Sequence, residues 1–182
     1  MVKINDIEIG YILEDEFDDL DRTMIKKYAK ASGDTNPIHT NDQIAEKAGL
    51  NGVIAHGLLS FGFITKMFEN FLNHGADGTL IEVEGEMRGM VRPGDTLITR
   101  AEVSKIEDNK VFFDITQKTI TKIGIKDETG KVIKEFEAAE RGWISAKDRK
   151  EDLVHEKPVD EGTLIYREQE VLPGHVIIEL NE

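Results

Sequence analysis

The sequence predicts an α+β fold in which an antiparallel sheet wraps around one long buried helix. The segment from Gly57 to Leu72 is the most apolar part of the chain, and its first half is apolar on every side, as expected of a helix inside a core. From Thr79 to Ile144 the apolar period changes to two and is interrupted by turn sequences, which is typical of strands joined by hairpins. A buried helix followed by several such strands favours a sheet packed on that helix.

The N-terminal part predicts extended chain and then a helix. Residues 3–12 alternate loosely and suggest an opening strand or ribbon, and residues 13–17 suggest further extended chain. A helix is expected from its N-cap at Asp21 through Lys30, with Gly33 ending it. Its apolar residues at helical spacing are Met24, Ile25, Tyr28 and Ala29.

Residues 33–52 are predicted to form a compact flap between that helix and the buried one. Thr40 or Asn41 can cap a short helix, which Gly49 closes. In the buried helix, Gly57 and the small residues that follow lower helix propensity but let a sheet pack closely around the axis. The amphipathic second half predicts that this helix emerges from the core at its end.

The strands and the C-terminal part follow in order. The predicted strands begin at Thr79 and then cover residues 97–103, 111–125 and 132–144, with turns at 92–95, 107–110 and 127–131. Residues 147–161 are mostly charged and are interpreted as a solvated linker. The two short apolar runs after it could form a hairpin that caps the sheet, an arm that reaches a partner subunit, or a loose tail. We therefore divide the chain into a domain of residues 1–147 and a C-terminal extension, residues 148–182, of unknown structure.

Composition excludes several classes of protein. The chain has 182 residues and a formal charge of −13, without the clustered cations that a general nucleic-acid binder needs. It has no cysteine, which excludes disulfides, thiolate metal sites and a cysteine nucleophile. We expect no membrane segment and a cytoplasmic location, because no long apolar run and no basic-then-apolar leader is present.

The loop Ala31 to His39 carries the candidate chemistry. On a regular helix, Asp34 and His39 would point about 140° apart, but Gly33 and Pro37 favour a kinked loop that turns both side chains to one side. A carboxylate and an imidazole held together can orient one water and move its proton. The alternative from composition alone is an ordinary turn, since glycine, aspartate, asparagine and proline are common turn residues.

Three stretches resemble the MaoC-like family, also called the (R)-specific enoyl-CoA hydratase or hydratase 2 family. They are Gly-Asp-x-Asn-Pro-x-His at 33–39 with the residues before it, Val-Ile-Ala-His-Gly at 53–57, and Val-Arg-Pro-Gly-Asp-Thr-Leu at 91–97. The likeness spans roughly residues 10–145, in the order of elements expected above. Residues 86–90 depart from the family pattern, and Gly89 there suggests a bulge or a thinner pocket wall.

The resemblance implies a single hotdog fold with the flap over the active site, acting as a homodimer or a higher oligomer. Asp34 and His39 match the family's catalytic pair, which adds water to a trans-2-enoyl thioester of coenzyme A or acyl carrier protein, or removes it from the (R)-3-hydroxyacyl product. This is a hydro-lyase reaction of fatty acid metabolism, and it needs no metal or cofactor. A metal held by Asp34, His39 and His56 is the alternative, since all three are ligand types.

Hydration also needs a donor for the charge that develops on the thioester oxygen. Gly57 stands where a helix leaves free N–H groups and where a substrate can come close, and it matches the family's oxyanion donor. The alternative is a helix-start glycine selected for packing. We expect the other candidates to support or bind substrate: Asn36 as scaffold, His56 in a structural or pocket role, Ser60 and Thr65 as hydroxyl donors, and Arg88 and Arg92 either at the carrier's phosphates or as surface charges.

Two other functions remain open at this point. A hotdog thioesterase would direct its water at the carbonyl carbon. A non-catalytic acyl-binding subunit of a dehydratase heterodimer would be expected to lack Asp34 or His39, and this chain has both.

Overall fold

Residues 2–181 of the computed structural model form one antiparallel sheet curved around a central helix. The sheet has seven strands in the order β1-β3-β4-β7-β2, with β5 added to β4 and β6 to β7. The strands are β1 Ile12–Phe17, β2 Gly78–Gly85, β3 Thr96–Glu107, β4 Lys110–Lys126, β5 Val132–Glu135, β6 Val154–Val159 and β7 Gly162–Leu180. The predicted α+β architecture is confirmed.

The central helix is α3, Gly57–Asn70, and a short π-helical turn, Phe71–Gly75, continues it. Its buried apolar side chains, among them Ile64 and Phe68, belong to one core cluster with residues of the strands. Phe68 meets Phe113 of β4 edge to face, with ring centroids 5.0 Å apart. The polar end of the helix is exposed at Glu69 and Asn70. The helix emerges at its end as expected, but the expectation that its first half is buried on every side is wrong, because Leu58 is 63% exposed and the buried apolar side chains begin only at Phe63.

The helices before α3 begin and end where the capping residues predict. In α1, Arg22–Ser32, the Asp21 side chain accepts the Met24 N–H at 2.6 Å, and Gly33 closes the helix in the left-handed conformation (φ 77°). In α2, Asp42–Lys47, Asn41 caps the first turn through the Ile44 N–H.

Two predicted strands are shorter than expected. Residues 3–12 contain a 3₁₀ turn, Ile4–Asp6, and reach the sheet only at Ile12. The predicted strand over 132–144 is β5, which ends at Glu135 and is exposed along its length. It is followed by two short helices, α4 Glu137–Glu140 and α5 Ala146–Lys150. With all four side chains exposed and a single neighbouring strand, β5 is weakly specified, and the Glu-Ala-Ala-Glu sequence after it favours a helical turn.

The turn from Arg92 to Asp95 connects the flap side of the molecule to β3. The Arg92 N–H donates to Asp95 Oδ2 at 2.8 Å, and Gly94 adopts the positive φ of 85° that this turn requires. Asp95 is fully buried, and burial raises the pKa of its carboxyl to about 6, against the opposing effects of Thr121, the Arg92 N–H, Arg167 and Arg92.

Residues 148–182, whose structure the sequence left open, supply the fourth strand along the sheet. β7 lies between β4 and β2, pairing Val111 with Ile178 on one side and Gly85 with Gly174 on the other. The two apolar runs expected on either side of Pro173-Gly174 are one continuous strand of 19 residues. A domain boundary at residue 147 would therefore take a central strand out of the sheet.

Candidate active site

The loop with the catalytic candidates is a turn fixed by its own side chains. Asn36 accepts the Ile38 N–H at 3.3 Å and donates its own N–H to Asp34 Oδ1 at 3.1 Å. The 3₁₀ turn Pro37–His39 follows at once. These two bonds lie within the loop, which is the predicted turn and also the element that carries Asp34 and His39. The scaffold role of Asn36 stays a prediction.

A single backbone hydrogen bond determines which ring nitrogen of His39 is free. Nδ1 lies 2.9 Å from the carbonyl oxygen of Ile54. Since a carbonyl can only accept, Nδ1 carries the proton in this bond, and in the neutral ring Nε2 keeps its lone pair. His39 is only 9% exposed, so the ring is held in place by its surroundings. It thus offers one nitrogen suited to a general base.

Asp34, His39 and His56 converge on one point. One oxygen of Asp34 and one ring nitrogen from each histidine all lie within 4.8 Å of one another. The two imidazoles stack, with centroids 3.8 Å apart. This is the separation at which a carboxylate and an imidazole can share one water molecule.

His56 contacts both Asp34 and His39. Its Nε2 lies 3.3 Å from the backbone carbonyl of Asp34 and donates to it, and its ring lies 5.0 Å from that of Tyr28 in α1. Burial lowers the pKa of His56, and so does His39, while the Asp34 carbonyl and carboxylate oppose them. The neutral form of His56 is thereby favoured.

Gly57 is the first residue of α3, directly after His56 at the N-cap. The N–H groups of a first helical turn have no partner within the helix, and the helix dipole favours an anion there. A Cβ built on Gly57 would overlap Met87 Sδ, so only glycine fits beside this thioether as it stands. Gly57 thus presents a backbone N–H donor at the N-terminus of α3.

The hydroxyl candidates lie at different distances from this end of α3. Ser60 is buried one turn along, its carbonyl accepts from Gln117 Nε2 at 3.1 Å, and within residues 2–181 its Oγ has no hydrogen-bond partner. Thr65 bonds the Gly62 carbonyl of its own helix at 2.9 Å. Because it is eight residues beyond Gly57, it lies on the order of 12 Å along the axis. The structure does not bring Thr65 to the Asp34–His39 pair.

The two arginines differ sharply. Arg88 is exposed and pairs with Glu86 at 2.6 Å and Glu170 at 3.7 Å. Arg92 is only 5% exposed, and burial lowers the pKa of its guanidinium. The expectation of a surface or phosphate-contacting charge at Arg92 is wrong, because its side chain points into the protein and donates to the Leu50 carbonyl at 2.7 Å.

Two groups within residues 2–181 have the composition of a metal site. Asp34, His39 and His56 form the first, and Glu82, Glu84 and His175 on the surface of β2 and β7 form the second. Imidazole and carboxylate ligands suit zinc and similar ions. In the first group, however, Nδ1 of His39 and Nε2 of His56 are already engaged by carbonyls, which leaves one free nitrogen on each ring. The prediction of a metal-free site stays a prediction.

The local sequence pattern does not predict one buried side chain that contacts the flap. Trp143, the single tryptophan of the chain, donates its indole N–H to the Asn51 carbonyl at 2.8 Å. The strand predicted over 132–144 includes this residue, and only its rarity in the sequence marks it. Its contact joins positions 92 residues apart, which no local pattern encodes.

Comparison with known proteins identifies the family of this chain. The family model described as "MaoC like domain" matches residues 10–127. The chain belongs to this MaoC-like family. The (R)-specific enoyl-CoA hydratase of Rhodospirillum rubrum is similar to it, with 32% identity over 111 residues that cover 61% of this chain and 72% of the relative. The fatty acid synthase beta subunit TOXC of Cochliobolus carbonum is 37% identical over 75 residues, which cover 41% of this MaoC-like chain but 4% of that protein.

Solved structures show the same MaoC-like hotdog fold. The (R)-hydratase from A. caviae, a protein involved in PHA biosynthesis, superposes with a TM-score of 0.59 at 14% identity, covering 96% of this chain and 98% of that one. At such identity the likeness establishes the fold alone.

Among the described helices of the MaoC-like chain, none combines the length and apolarity needed to span a membrane.

Proposed function

We propose that the protein catalyses the (R)-specific hydration of trans-2-enoyl thioesters and, in reverse, the dehydration of (R)-3-hydroxyacyl thioesters. The observation that carries the proposal is the convergence of Asp34 and His39 with Nε2 of His39 free to accept a proton. The hydratase name of the Rhodospirillum rubrum relative supports the substrate class and the stereochemistry.

In this mechanism Asp34 and His39 hold one water molecule. His39 Nε2 takes a proton as the water oxygen bonds to C3 of the substrate, and the electrons of the double bond move towards the thioester oxygen. The N–H of Gly57, at the positive end of α3, stabilises the charge on that oxygen. A proton is then returned from the pair to C2, so that one water is added and the protein is unchanged. Dehydration follows the same steps backwards.

The substrate carrier and the assembly belong to the same proposal. Coenzyme A and acyl carrier protein both present a thioester, and exposed Arg88 remains a candidate for contact with their phosphates. We expect a homodimer or a higher oligomer, which sedimentation analysis would test.

The deciding experiment follows two signals from one reaction. The protein is incubated with crotonyl-CoA, and loss of the enone absorbance is recorded beside release of free thiol. We expect loss of absorbance without thiol, and a product of R configuration on a chiral column. Thiol release without hydration would identify a thioesterase, and neither signal with any enoyl thioester would point to a non-catalytic acyl-binding subunit. Both outcomes overturn the proposal.

A further inference from the structure

We propose that Trp143 is a positioning residue for His39, acting with Arg92 as a clamp on the flap. This inference rests on the proposed function, and it concerns residues that do not touch the reacting atoms. We call Arg92 and Trp143 together the flap clamp.

The flap clamp holds two successive backbone carbonyls. Arg92 Nη1 donates to the Leu50 carbonyl at 2.7 Å, and Trp143 Nε1 donates to the Asn51 carbonyl at 2.8 Å. The guanidinium carbon of Arg92 lies 4.9 Å from the centre of the Trp143 ring, close enough for a cation–π contact. Trp143 is 6% exposed, so its indole N–H would be costly to leave without this partner.

The backbone between Leu50 and Val53 turns sharply. Asn51 has φ of 53° and Gly52 has φ of 121°, a left-handed conformation that asparagine and glycine adopt readily. The position of this turn in the fold is set by its contacts with other residues. The flap clamp supplies those contacts on one side.

The fixed turn leads directly to the carbonyl that orients His39. Ile54 follows Asn51 by three residues, and its carbonyl is the acceptor for His39 Nδ1. On the far side of Ile54, the Ala55 N–H is anchored to the Val91 carbonyl at 2.8 Å. The Ile54 N–H also reaches the Ile38 carbonyl at 3.4 Å. The acceptor of His39 therefore sits in a segment with several anchors, of which the one at Asn51 depends on Trp143.

A second connection from the same segment strengthens the first. Arg141 Nη2 donates to Asp42 Oδ2 at 3.1 Å, and Asp42 Oδ1 accepts the Val53 N–H at 2.9 Å. Arg141 and Trp143 both lie beyond residue 127, where the family match ends. Part of the support for the flap thus comes from a segment outside the family match, while Arg92 and Asp42 lie inside it.

Loss of the indole N–H has a definite consequence for the chemistry. The Asn51 carbonyl would be left without its partner, and the turn would relax and shift the Ile54 carbonyl away from Nδ1. His39 could then place its proton on Nε2, the nitrogen that the hydration needs free. A displacement of about 1 Å at a reacting group can cost ~10²-fold in rate.

The test removes only the indole N–H. Because the chain has one tryptophan, growth of a tryptophan auxotroph on β-(3-benzothienyl)alanine exchanges that N–H for sulfur at this position alone and keeps the ring. Trp143→Phe is the genetic counterpart, and it also removes part of the ring that contacts Arg92. We expect kcat for crotonyl-CoA to fall by ~10-fold or more with KM changed far less, and the acid limb of the kcat pH profile to move.

The second readout does not depend on activity. With ¹⁵N-labelled histidine, the His39 signals should show Nδ1 protonated in the wild-type protein and a shift towards Nε2 protonation in both altered proteins. If the wild-type protein proves inactive, the proposed function fails while this measurement still decides the role of Trp143.

The matched control is Glu102→Gln. Glu102 Oε2 accepts from Arg100 Nη2 at 2.9 Å on the exposed surface of β3, a different part of the fold from residues 50–54. We expect its kcat and histidine signals to equal those of the wild-type protein. Unchanged kcat and unchanged His39 signals in the benzothienyl protein would overturn the inference, as would a loss of activity that only follows the unfolded fraction in a thermal melt.

Discussion

Single residues carry the proposed chemistry, and Asp34 and His39 can be altered with little change of shape. Asp34→Asn keeps an oxygen for the Asn36 N–H, and His39→Gln keeps an N–H able to reach the Ile54 carbonyl. We expect each to lower kcat/KM for crotonyl-CoA by at least ~10²-fold, because the proton-transfer groups are gone while the loop stays folded. Melting temperatures close to the wild-type value would establish that the fold is intact. Near-normal activity in either variant would remove that residue from the mechanism.

Gly57 gives a second test at the same scale. In Gly57→Ala the new methyl displaces Met87, whose flexible side chain is 50% exposed and free to move, so we expect the fold to survive. The methyl also narrows the approach to the Gly57 N–H, and kcat/KM should fall about tenfold or more. The double variant Gly57→Ala/Met87→Ala separates the causes. Restored activity there would assign the defect to the displaced thioether, and full activity in Gly57→Ala alone would contradict a close approach of the substrate at this position.

The residues of the site could be predicted only in part. Asp34, His39 and Gly57 stand in compact motifs, whose turn and helix-start residues are visible in the sequence. The free nitrogen of His39 depends on the Ile54 carbonyl, 15 residues away, and the burial of Arg92 depends on Leu50, 42 residues away. Partners at such separations are chosen by tertiary packing, so nothing near Arg92 in the sequence distinguishes it from a surface charge.

At the scale of elements, capping residues are reliable guides and strand ends are not. Asp21, Asn41 and Gly33 act through neighbours within a few residues, so their helices begin and end as predicted. The sequence predicts two runs in place of β7 because Pro173 and Gly174 interrupt its apolar pattern. Gly174 is needed there because the strands come close. A Cβ on it would overlap the Glu84 carbonyl of β2.

Two glycines should therefore respond to alanine in opposite ways. Gly62 lies in the middle of α3, where an added Cβ would meet no atom within 4 Å, so Gly62→Ala should raise the free energy of unfolding by roughly 0.5–1 kcal/mol through helix propensity. Gly174→Ala should lower it by about 1–3 kcal/mol, since β2 must move away from β7. Urea unfolding followed by circular dichroism measures both. Equal effects of the two changes would contradict the packing described for these two positions.

For the molecule as a whole, the buried Asp95 predicts how stability depends on pH. Its pKa is about 6 in the folded protein against an ordinary value of 3.8, so the folded state binds more protons between these two values. The free energy of unfolding contributed by Asp95 is therefore highest below pH 4 and falls as pH rises to about 6. A shift of this size corresponds to about 3 kcal/mol.

The measurement compares the wild-type protein with Asp95→Asn, whose amide oxygen can still accept the Arg92 N–H. We expect the variant to gain in stability relative to the wild-type protein as pH rises from about 4 to 6, by urea unfolding at each pH. The difference between the two proteins is needed because His56, with its lowered pKa, contributes the opposite slope near its unfolded value of 6.5. A difference that stays constant across this range would show that Asp95 is already ionised at the lower end.

The position of β7 also governs when the protein can fold during its synthesis. β4 is complete once residue 126 has been made. Its neighbour β7, which also pairs with β2, ends only at residue 180. Until then the apolar faces of β4 and α3 lack part of their cover, and the pairing that completes the sheet joins residues far apart in the chain. We infer that a nascent chain on the ribosome stays open until residues 162–180 emerge, and that it exposes strand edges to chaperones throughout that interval.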